Sequence, residues 1–376
     1  MDIKESNEND LQHIWAQVQQ KLKITSQRIG STIPYIAIDH RYTDVGSTHI
    51  TWWTNGFWAG LLWQMYHATQ DQQYLEIARA IEKKLDVALA QEDRLDHDVG
   101  FMWLNAAVAD YKITNDPEAK TRGLKAAQIL AGRYQSTGRY LLAWNGVDKK
   151  GQVIVDCFMN LPLLYWASET FNKPEFAEIA TNHAYTATKA LVRADGSVNH
   201  IAVFEPQTGE LLKTLGGQGY GEGSAWSRGQ AWGIYGLALA YRNTHDSYFL
   251  TQAKLVANAF IANVALSGYV SHIDFRSPEE PVYWDTTATA IAICGLLELS
   301  QYLPTDQQHL YRASALKMFW ALTERFCNFN PEEDELLTGG SAKYHRASDR
   351  EVPIIYGDTF YIEALLRLLA LNLTIY

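Results

Sequence analysis

Two aspartates, Asp98 and Asp156, stand directly before long apolar stretches of the sequence. Two carboxylates that enter one pocket from different helices form the arrangement that general acid/base chemistry on a sugar requires. The alternative role for each is capping of a helix N-terminus, where aspartate is favoured. The run Asn160-Leu161-Pro162 is typical of a cap followed by a first-turn proline, which would leave Asp156 upstream and free for chemistry. No separate capping residue follows Asp285 or Asp358 in the same way. We therefore assign these two aspartates mainly to helix capping or to support of neighbouring groups.

Arg228 lies between Trp226 and Trp232 in the sequence. An arginine fork can hold a carboxylate at two points, while indole rings offer stacking faces for a sugar. In the alternative interpretation, carbonyl groups at a helix end or Asp98 satisfy the guanidinium internally. The sequence therefore predicts either an anion-binding arginine or a structural one.

His200 and Gln218 fall in a long, glycine-rich connection. Within it, residues 216–221 superficially resemble a phosphate-binding loop, but no strand precedes them and no Lys-Ser/Thr pair follows. We expect the connection to cover a ligand. The histidines and cysteines show no His-Glu-x-x-His motif and no Cys pair, so neither a metal nor another cofactor is predicted.

Six short polar motifs, including those around Asp98 and Asp156, each lead into an apolar stretch of helix length. Several of these stretches are apolar on nearly every side, which is typical of helices buried all round. If the helices stand side by side and run the same way, the motifs meet around one mouth. The six motifs are Trp53-Thr54-Asn55-Gly56, His97-Asp98-Val99-Gly100, Val155-Asp156-Cys157, Trp226-Ser227-Arg228-Gly229-Gln230, Trp284-Asp285-Thr286-Thr287 and Tyr356-Gly357-Asp358.

A second, amphipathic helix follows the apolar ones after a short turn rich in Asn, Asp and Pro. In the first of them, Tyr74, Ile81 and Leu85 recur at helical spacing with charged residues between them. Two classes of helix predict an inner ring wrapped by an outer ring. We therefore predict an all-α fold, an (α/α)6 toroid of six helical hairpins in which residues 1–376 form a single domain and residues 11–29 an outer helix. N-terminal N–H groups that converge at one end would favour an anionic ligand.

Composition argues against several classes of function. The net charge of −10 disfavours a nucleic-acid partner. No apolar run reaches the length of a membrane span. The N-terminal residues lack the apolar core of a signal peptide. Three cysteines among apolar neighbours are typical of free thiols in a reducing compartment. We expect a cytoplasmic monomer or small homo-oligomer. The 12% of aromatic residues suits sugar binding, although a large helical core also contains many aromatics.

With these residues identified, the chain resembles the unsaturated glucuronyl hydrolases of glycoside hydrolase family 88 over nearly its whole length. The strongest segments are Trp53-Thr54-Asn55-Gly56-Phe57-Trp58, His97-Asp98-Val99-Gly100-Phe101, Asp156-Cys157 with Asn160-Leu161-Pro162-Leu163-Leu164, and Trp226-Ser227-Arg228-Gly229-Gln230-Ala231-Trp232-Gly233. The resemblance implies a six-hairpin toroid. It also implies hydration of the C4=C5 double bond in the non-reducing uronate of oligosaccharides that polysaccharide lyases release from glycosaminoglycans.

The resemblance also implies roles for individual residues. Asp156 matches the general acid/base, which protonates C4 and helps to activate the water that attacks C5. Asp98 matches a second essential carboxylate that holds sugar hydroxyls and influences the ionisation of Asp156. For a group that both gives and takes a proton we expect a raised pKa at Asp156. Positions that match substrate-contacting residues of the family are Trp53, Asn55, His200, Gln218, Trp226, Arg228 and Trp232.

Near the C-terminus the sequence departs from the Ser- and Lys-bearing segment shared by family members that prefer sulfated fragments. The corresponding stretch, residues 343–348, is cationic instead. We hypothesise that Lys343 or Arg346 meets a sulfate or carboxylate of the adjacent sugar. The alternative is a solvated surface loop.

Three other functions stay open at the level of sequence. An unsaturated rhamnogalacturonyl hydrolase would apply the same chemistry to pectin fragments, although the amino-acid sequence around Arg228 favours the glucuronyl hydrolases. An inverting glycosidase on this fold would also use two carboxylates, on saturated sugars. A non-catalytic carbohydrate-binding toroid would keep the aromatic mouth but would not require two carboxylates beside an arginine.

Overall fold

The computed structural model describes residues 8–376, and twelve helices run through them. The fourth is continuous but contains a π-helical segment, Leu104–Val108. In chain order the helices are α1 (Glu8–Ile29), α2 (Phe57–Thr69), α3 (Gln72–Leu89), α4 (Val99–Trp103, Leu104–Val108 and Ala109–Thr114), α5 (Pro117–Ala131), α6 (Leu161–Phe171), α7 (Pro174–Leu191), α8 (Ser227–Thr244), α9 (Ser247–Leu266), α10 (Thr286–Ser300), α11 (Thr305–Phe326) and α12 (Ile355–Leu368).

The even-numbered helices form an inner ring. Each contacts the next, and α12 contacts α2, so the ring closes on itself. The odd-numbered helices lie outside: α3, α5, α7, α9 and α11 each pack against the inner helix that precedes them, and α1 packs against α12. The predicted (α/α)6 toroid is thus confirmed, including the outer helix at residues 11–29, which begins at Glu8.

Burial separates the two rings as the hydrophobic pattern predicts. Every residue of α10 is buried, because other helices surround it on all sides. The outer helix α3 buries one stripe that includes Tyr74, Ile81 and Leu85, while Glu76 and Lys83 are exposed. An all-round apolar sequence therefore places a helix inside, and a one-sided stripe places it outside.

Aromatic side chains fill the axis of the ring. Ring centroids of Phe101 and Trp232 are 5.1 Å apart, and those of Trp232 and Phe360 are 5.5 Å apart. Phe360 stacks on Tyr376 at 5.8 Å, and Arg242, in the last turn of α8, donates to a main-chain oxygen of Tyr376. These contacts pack Trp232 of α8 against α4 and α12.

Helix caps also distinguish the two rings. Asp71, Asp116 and Asp246 accept hydrogen bonds from first-turn N–H groups of α3, α5 and α9, as the Asx-rich turns predict. Among the inner helices, considered over residues 8–376, only α10 is capped by the side chain of its own N-cap residue, Asp285. Asp358 instead accepts hydrogen bonds from the N–H groups of residues 336 and 337. At the mouth, the end of the ring where the inner helices begin, α4 is capped by a side chain from the neighbouring inner helix, because Oδ1 of Asn160 accepts from the Phe101 N–H at 2.6 Å.

Seven short strands, which the sequence analysis did not predict, form three small antiparallel sheets in the described chain. Sheet β5–β6–β7 matters most for the mouth because Ile154 pairs with Ile201, which brings Asp156 and His200 together. The glycine-rich connection contributes β6 and β7 of this sheet. The strands are β1 (Pro34–Ile38), β2 (Arg41–Asp44), β3 (Tyr134–Gln135), β4 (Tyr140–Leu141), β5 (Gln152–Ile154), β6 (Ile201–Phe204) and β7 (Leu211–Leu215).

One helix, α9, is long and apolar enough to cross a membrane by length and composition, with a mean hydropathy of 1.3. The sequence analysis expected no run of this kind. In the structure α9 is the outer partner of α8, and Phe249, Val256 and Phe260 lie buried on its inner face. Its apolar composition is therefore partly explained by packing within the ring.

Close approach of the inner helices generates the first prediction. A Cβ added to Gly56 would lie 2.3 Å from the carbonyl oxygen and 2.7 Å from the Cα of Met102, so the backbone at the start of α2 and in α4 would have to separate. Gly56→Ala should lower the free energy of unfolding by about 1–3 kcal/mol, measured by urea unfolding. A Cβ at Gly221 would have no neighbour within 4 Å among the described residues, so Gly221→Ala is the matched control. Equal stability of the two variants would contradict this packing.

Candidate active site

Asp98 and Asp156 come together at the mouth, on neighbouring inner helices. Asp98 occupies the N-cap position of α4, but within residues 8–376 its side chain forms no cap hydrogen bond. Asp156 lies one turn before α6, in the 3-10 helix Val155–Met159, as the Asn160-Leu161-Pro162 run predicts. Asn160 connects the two segments: its Oδ1 accepts from the Phe101 N–H in the first turn of α4 at 2.6 Å, and its Nδ2 donates to the Asp156 carbonyl oxygen at 3.4 Å. Neither carboxylate is used as a cap.

His200 stands behind Asp156 with its ring orientation fixed. The backbone N–H of Gln218 donates to Nδ1 of His200 at 2.9 Å, so in the neutral ring the hydrogen sits on Nε2. Nε2 lies 3.6 Å from Oδ2 of Asp156. The ring also stacks on Trp226, with 4.2 Å between centroids. His200 therefore presents a donor to Asp156.

His97 stands behind Asp98 with the opposite orientation. Its Nδ1 lies 2.6 Å from the Ala143 carbonyl oxygen, which can only accept, so Nδ1 carries the hydrogen. Nε2 then faces Oδ1 of Asp98 at 3.3 Å. In its neutral form His97 presents an acceptor to Asp98.

These surroundings shift the two carboxyl pKa values in opposite directions. Burial alone would raise the pKa of Asp156, but contact with His200, together with His97 and Arg228, outweighs burial and lowers it. Burial raises the pKa of Asp98 well above its ordinary value, and the nearby Asp96 and Asp156 raise it further. The expected raised pKa at Asp156 is therefore wrong for the free protein, because His200 stabilises its carboxylate.

Arg228 is bound on most sides. Its Nη1 donates to Oδ2 of Asp285 at 2.9 Å and to the Ser341 carbonyl oxygen, and its Nη2 donates to the Ala342 carbonyl oxygen at 3.0 Å. The guanidinium also stacks over the Trp226 ring at 4.4 Å. Internal partners thus take both hydrogens of Nη1 and one of Nη2, while Nε and one Nη2 hydrogen are left, so two-point binding of an anion by Arg228 stays a prediction. The internal partner is Asp285, not Asp98.

Several buried polar atoms around these groups find no hydrogen-bond partner among residues 8–376. We call them the open polar atoms of the mouth. Nε of Arg228 and Nε1 of Trp226 and Trp232 are donors, and Oδ1 of Asn55 is an acceptor. The open polar atoms are Oδ1 of Asn55, Nε2 of His97, Oδ2 of Asp156, Nε2 of His200, Nε1 of Trp226, Nε of Arg228, Nε1 of Trp232 and the Tyr356 hydroxyl. Buried polar atoms are normally satisfied, so this concentration indicates a bound polar ligand.

The remaining predicted contacts form the walls and roof of the mouth. Asn55 is anchored by donation from Nδ2 to the carbonyl oxygens of His49 and Ile50, both at 2.9 Å. Trp53 packs on the Tyr356 ring at 5.1 Å. Gln218 donates from Nε2 to the Ala342 carbonyl oxygen at 2.9 Å, so its side chain ties the glycine-rich connection to the loop at residues 341–346.

Lys343 and Arg346 lie at the rim of the mouth. Both are exposed, and Nη1 of Arg346 is 3.4 Å from Oδ2 of Asp349. Between them, the Tyr344 N–H donates to the Gln218 carbonyl oxygen at 2.9 Å, which attaches this loop to the mouth. The structure places these two cations beside the mouth, outside the cluster of open polar atoms.

The sequence analysis missed two side chains as site residues. The Tyr356 hydroxyl is an open polar atom, and the Arg228 guanidinium lies 5.4 Å from the Tyr356 ring. His97 backs Asp98 directly. Both residues belong to the six polar motifs: Tyr356 begins the sixth and His97 begins the second. Their positions in these motifs could therefore have identified them as site residues.

Two groups of histidine and carboxylate side chains are close enough to be tested as metal sites. At the mouth, Nδ1 of His97 is already bound to Ala143, and Oδ1 of Asp96 accepts from the Asp98 N–H at 2.9 Å. At the surface, Nδ1 of His40 lies 2.7 Å from Oε1 of Glu335 and 3.3 Å from Oε2 of Glu333, so these three side chains already pair with one another.

A second concavity, of about 710 Å³, lies outside the ring between α5 and the turn after α3. Glu92, Lys125 and Arg133 are among the residues that line it, and none of the described site residues named above does. The chemistry-bearing side chains therefore converge on the mouth.

The fold and the mouth can now be compared with known proteins. The family model for Glycosyl Hydrolase Family 88 matches residues 26–343. The chain belongs to glycosyl hydrolase family 88. The predicted family is thus confirmed, and with it the class of enzyme, a glycoside hydrolase. The match covers both carboxylates, the mouth residues from Trp53 to Trp232, and Lys343.

Individual members of family 88 resemble the chain over most of its length. The unsaturated chondroitin disaccharide hydrolase of Streptococcus agalactiae serotype III is 35% identical over 341 residues, which are 84% of this chain and 81% of the relative. The crystal structure of unsaturated glucuronyl hydrolase from Bacillus sp. GL1 is 34% identical, with a TM-score of 0.87 over 94% of this chain and 96% of that one. A Streptococcus agalactiae variant complexed with dGlcA-GalNAc6S is 30% identical, with a TM-score of 0.81 over 98% and 93%.

The buried Arg228–Asp285 pair yields a second prediction. Asp285→Ala removes one partner and leaves Arg228, which is 1% exposed, as an uncompensated buried charge. The free energy of unfolding should fall by about 3–5 kcal/mol, measured by urea unfolding. The exposed pair of Lys125 and Glu92, at 2.9 Å, supplies the control: Glu92→Ala should cost about 1 kcal/mol or less. Similar costs for the two variants would show that the buried pair does not organise the mouth.

Proposed function

We propose that this family 88 chain removes the non-reducing 4,5-unsaturated uronate from lyase-generated oligosaccharides by hydrating its C4=C5 bond. The observation that carries the proposal is the pair of carboxyl groups, Asp98 and Asp156, that two neighbouring inner helices bring to one aromatic mouth among the open polar atoms. Addition of water across a double bond needs both a proton donor and a base in one site, which carboxyl groups can supply.

The proposed chemistry balances as a simple hydration. C4 gains a proton, and C5 gains the hydroxyl group of a water molecule. The product at C5 is a hemiketal, which opens to a 4-deoxy-5-keto uronate and releases the rest of the oligosaccharide. We assign Asp156 the role of general acid/base, which gives a proton to C4 and takes one from the attacking water; the carboxylate that contact with His200 favours suits the second of these steps.

The open donors suit the charged part of such a sugar. Nε of Arg228 and Nε1 of Trp226 and Trp232 are buried N–H groups. A uronate carboxylate accepts hydrogen bonds strongly, and contact with a buried guanidinium adds electrostatic attraction. The N-termini of α6 and α8, the N-cap residues of which form no side-chain cap hydrogen bond, favour negative charge at the same place.

Glycosaminoglycan fragments are the proposed substrate class. The relatives named above are described as acting on a chondroitin disaccharide or on glycosaminoglycan, and one is complexed with dGlcA-GalNAc6S. We extend this class to chondroitin-, hyaluronan- and heparin-type disaccharides. Pectin-derived unsaturated disaccharides serve as the comparison that separates the rhamnogalacturonyl alternative.

The direct test follows loss of the C4=C5 ultraviolet absorbance of unsaturated chondroitin and hyaluronan disaccharides. The wild-type enzyme should remove the absorbance, and Asp156→Asn should reduce the rate by about 10²–10⁴-fold, because acid/base catalysis contributes that much. Asp306→Asn, which changes an exposed aspartate on the outer helix α11, is the control and should keep the wild-type rate. Saturated disaccharides should be inert.

Two results would contradict the proposed function. Hydrolysis of saturated sugars without loss of the ultraviolet absorbance would favour an ordinary glycosidase. Binding of the disaccharide with no turnover by the wild-type enzyme would favour a carbohydrate-binding protein.

We propose, as a finer point, that Lys343 or Arg346 at the rim meets a sulfate or carboxylate of the adjacent sugar. At least one of Lys343→Ala and Arg346→Ala should lower kcat/KM more for a sulfated than for an unsulfated chondroitin disaccharide, by about two- to fivefold, as expected for a partly exposed ion pair. Arg312→Ala, an exposed arginine on α11, is the control. Unchanged relative rates would leave residues 343–348 as a surface loop.

A further inference from the structure

Tyr376 places its ring in the axis of the toroid although it belongs to no helix, and it is only 1% exposed. Its segment is held by the main chain. Nζ of Lys112, in the last turn of α4, donates to the carbonyl oxygens of Thr374 and Ile375 at 2.9 and 2.8 Å. Arg242, in the last turn of α8, donates to a main-chain oxygen of Tyr376. Both donors lie where their helices end, so the tyrosine enters the axis from the end opposite the mouth.

The side chain of Tyr376 bridges three inner helices. It stacks on Phe360 of α12, with 5.8 Å between centroids and 16° between ring planes. Tyr235 of α8 meets it at 5.8 Å, and Phe101 of α4 meets it at 6.3 Å, both edge to face. Nδ2 of Asn105, also of α4, donates to its hydroxyl at 2.7 Å. The ring and the hydroxyl group are therefore both fixed.

The hydrogen bond from Asn105 comes from an unusual part of α4. Asn105 belongs to the π-helical segment Leu104–Val108, and short π-helical segments within α-helices are frequent at functional sites. Nδ2 of Asn105 also donates to the Phe101 carbonyl oxygen at 2.9 Å. On the other side, a Cβ added to Gly60 of α2 would lie 2.1 Å from Oδ1 of Asn105. Asn105 is thus held tightly between α2 and the axis, and it fixes Tyr376 relative to α4.

Two partners of Tyr376 are also partners of Trp232. The centroids of Phe101 and Phe360 lie 5.1 and 5.5 Å from that of the Trp232 ring. Trp232 is fully buried, and its Nε1 has no hydrogen-bond partner among residues 8–376. Packing against its neighbours therefore holds the indole in its orientation. Because protein interiors are closely packed, an empty volume beside Phe101 and Phe360 would let these rings relax and the indole follow them.

We propose that Tyr376 is a positioning residue, which acts through Phe101 and Phe360 to keep Nε1 of Trp232 directed at the uronate carboxylate. The inference rests on the proposed function, in which this N–H is one of the donors to the substrate. The uronate carboxylate keeps its charge from substrate to product. A donor that binds it equally in the ground state and the transition state contributes to affinity rather than to the chemical step.

Kinetics on the unsaturated chondroitin disaccharide provide the first test. Tyr376→Ala should raise KM by about tenfold and change kcat by about twofold or less, as expected when a hydrogen bond to a charged group is weakened. Tyr376→Phe keeps the ring and should restore KM to within about twofold of the wild-type value. If Tyr376→Ala does not fold, Tyr376→Leu, which keeps part of the buried volume, replaces it.

Two further variants identify the path of the effect. Tyr74→Ala makes the same change at a buried position of the outer helix α3 and should leave KM unchanged even if it lowers stability. Trp232→Phe removes the indole N–H, so in that background Tyr376→Ala should change KM by less than about twofold. An equal increase of KM in both backgrounds would overturn the proposal. So would a Tyr376→Ala enzyme with reduced stability and wild-type KM, because that result indicates a purely structural role.

A crystal structure of Tyr376→Ala without substrate separates this inference from the proposed function. Phe101 or Phe360 should move into the vacated volume, and Nε1 of Trp232 should shift by about 1 Å, which is enough to weaken a directed contact. The Trp226 indole, which stacks on His200 at 4.2 Å, is the internal reference and should stay in place. An unmoved Trp232 beside an empty cavity would overturn the inference even in an active enzyme. A shifted Trp232 in a protein that does not turn over the disaccharide would support the positioning and contradict the proposed function.

Discussion

The buried ion pair of Arg228 and Asp285 joins three parts of the mouth. Arg228 belongs to the first turn of α8, Asp285 caps α10, and the guanidinium also binds the carbonyl oxygens of Ser341 and Ala342. Gln218 attaches the glycine-rich connection to the same Ala342. The Arg228 guanidinium therefore links two inner helices and holds the loop at residues 341–342 over the mouth. Its Nε remains as a donor for a ligand. The cost of desolvating the pair is partly offset because both hydrogens of Nη1 and one of Nη2 are hydrogen-bonded.

The same framework explains how two aspartates in similar positions acquire different properties. Each precedes an inner helix and each has a histidine behind it, but the backbone presents an N–H to His200 and a carbonyl to His97. These opposite partners select opposite tautomers, so one carboxyl faces a donor and the other faces an acceptor. The electrostatic asymmetry of the mouth thus originates in two backbone groups, the N–H of Gln218 and the carbonyl of Ala143, each of which bonds the histidine behind a carboxyl group.

The sequence predicted the ring and most of the mouth because both depend on local patterns. All-round and one-sided apolar stretches distinguished inner from outer helices, and helix direction brought Asp98, Asp156 and Trp226 to one end. The strands were missed because each has five residues or fewer and little alternation. The partner of Arg228 lies 57 positions away, and the sign of the Asp156 shift depends on the tautomer of His200. Such pairings arise only when distant segments fold together, so no local pattern carries them.

The most direct test of the account is a crystal structure of Asp156→Asn with an unsaturated chondroitin disaccharide. The uronate should lie in the mouth, with its carboxylate within hydrogen-bond distance of the indole N–H groups of Trp226 and Trp232 and of Nε of Arg228. C4 and C5 should lie beside positions 98 and 156. A disaccharide bound in the outer concavity near Lys125, with the mouth holding only water, would contradict the assignment of the active site.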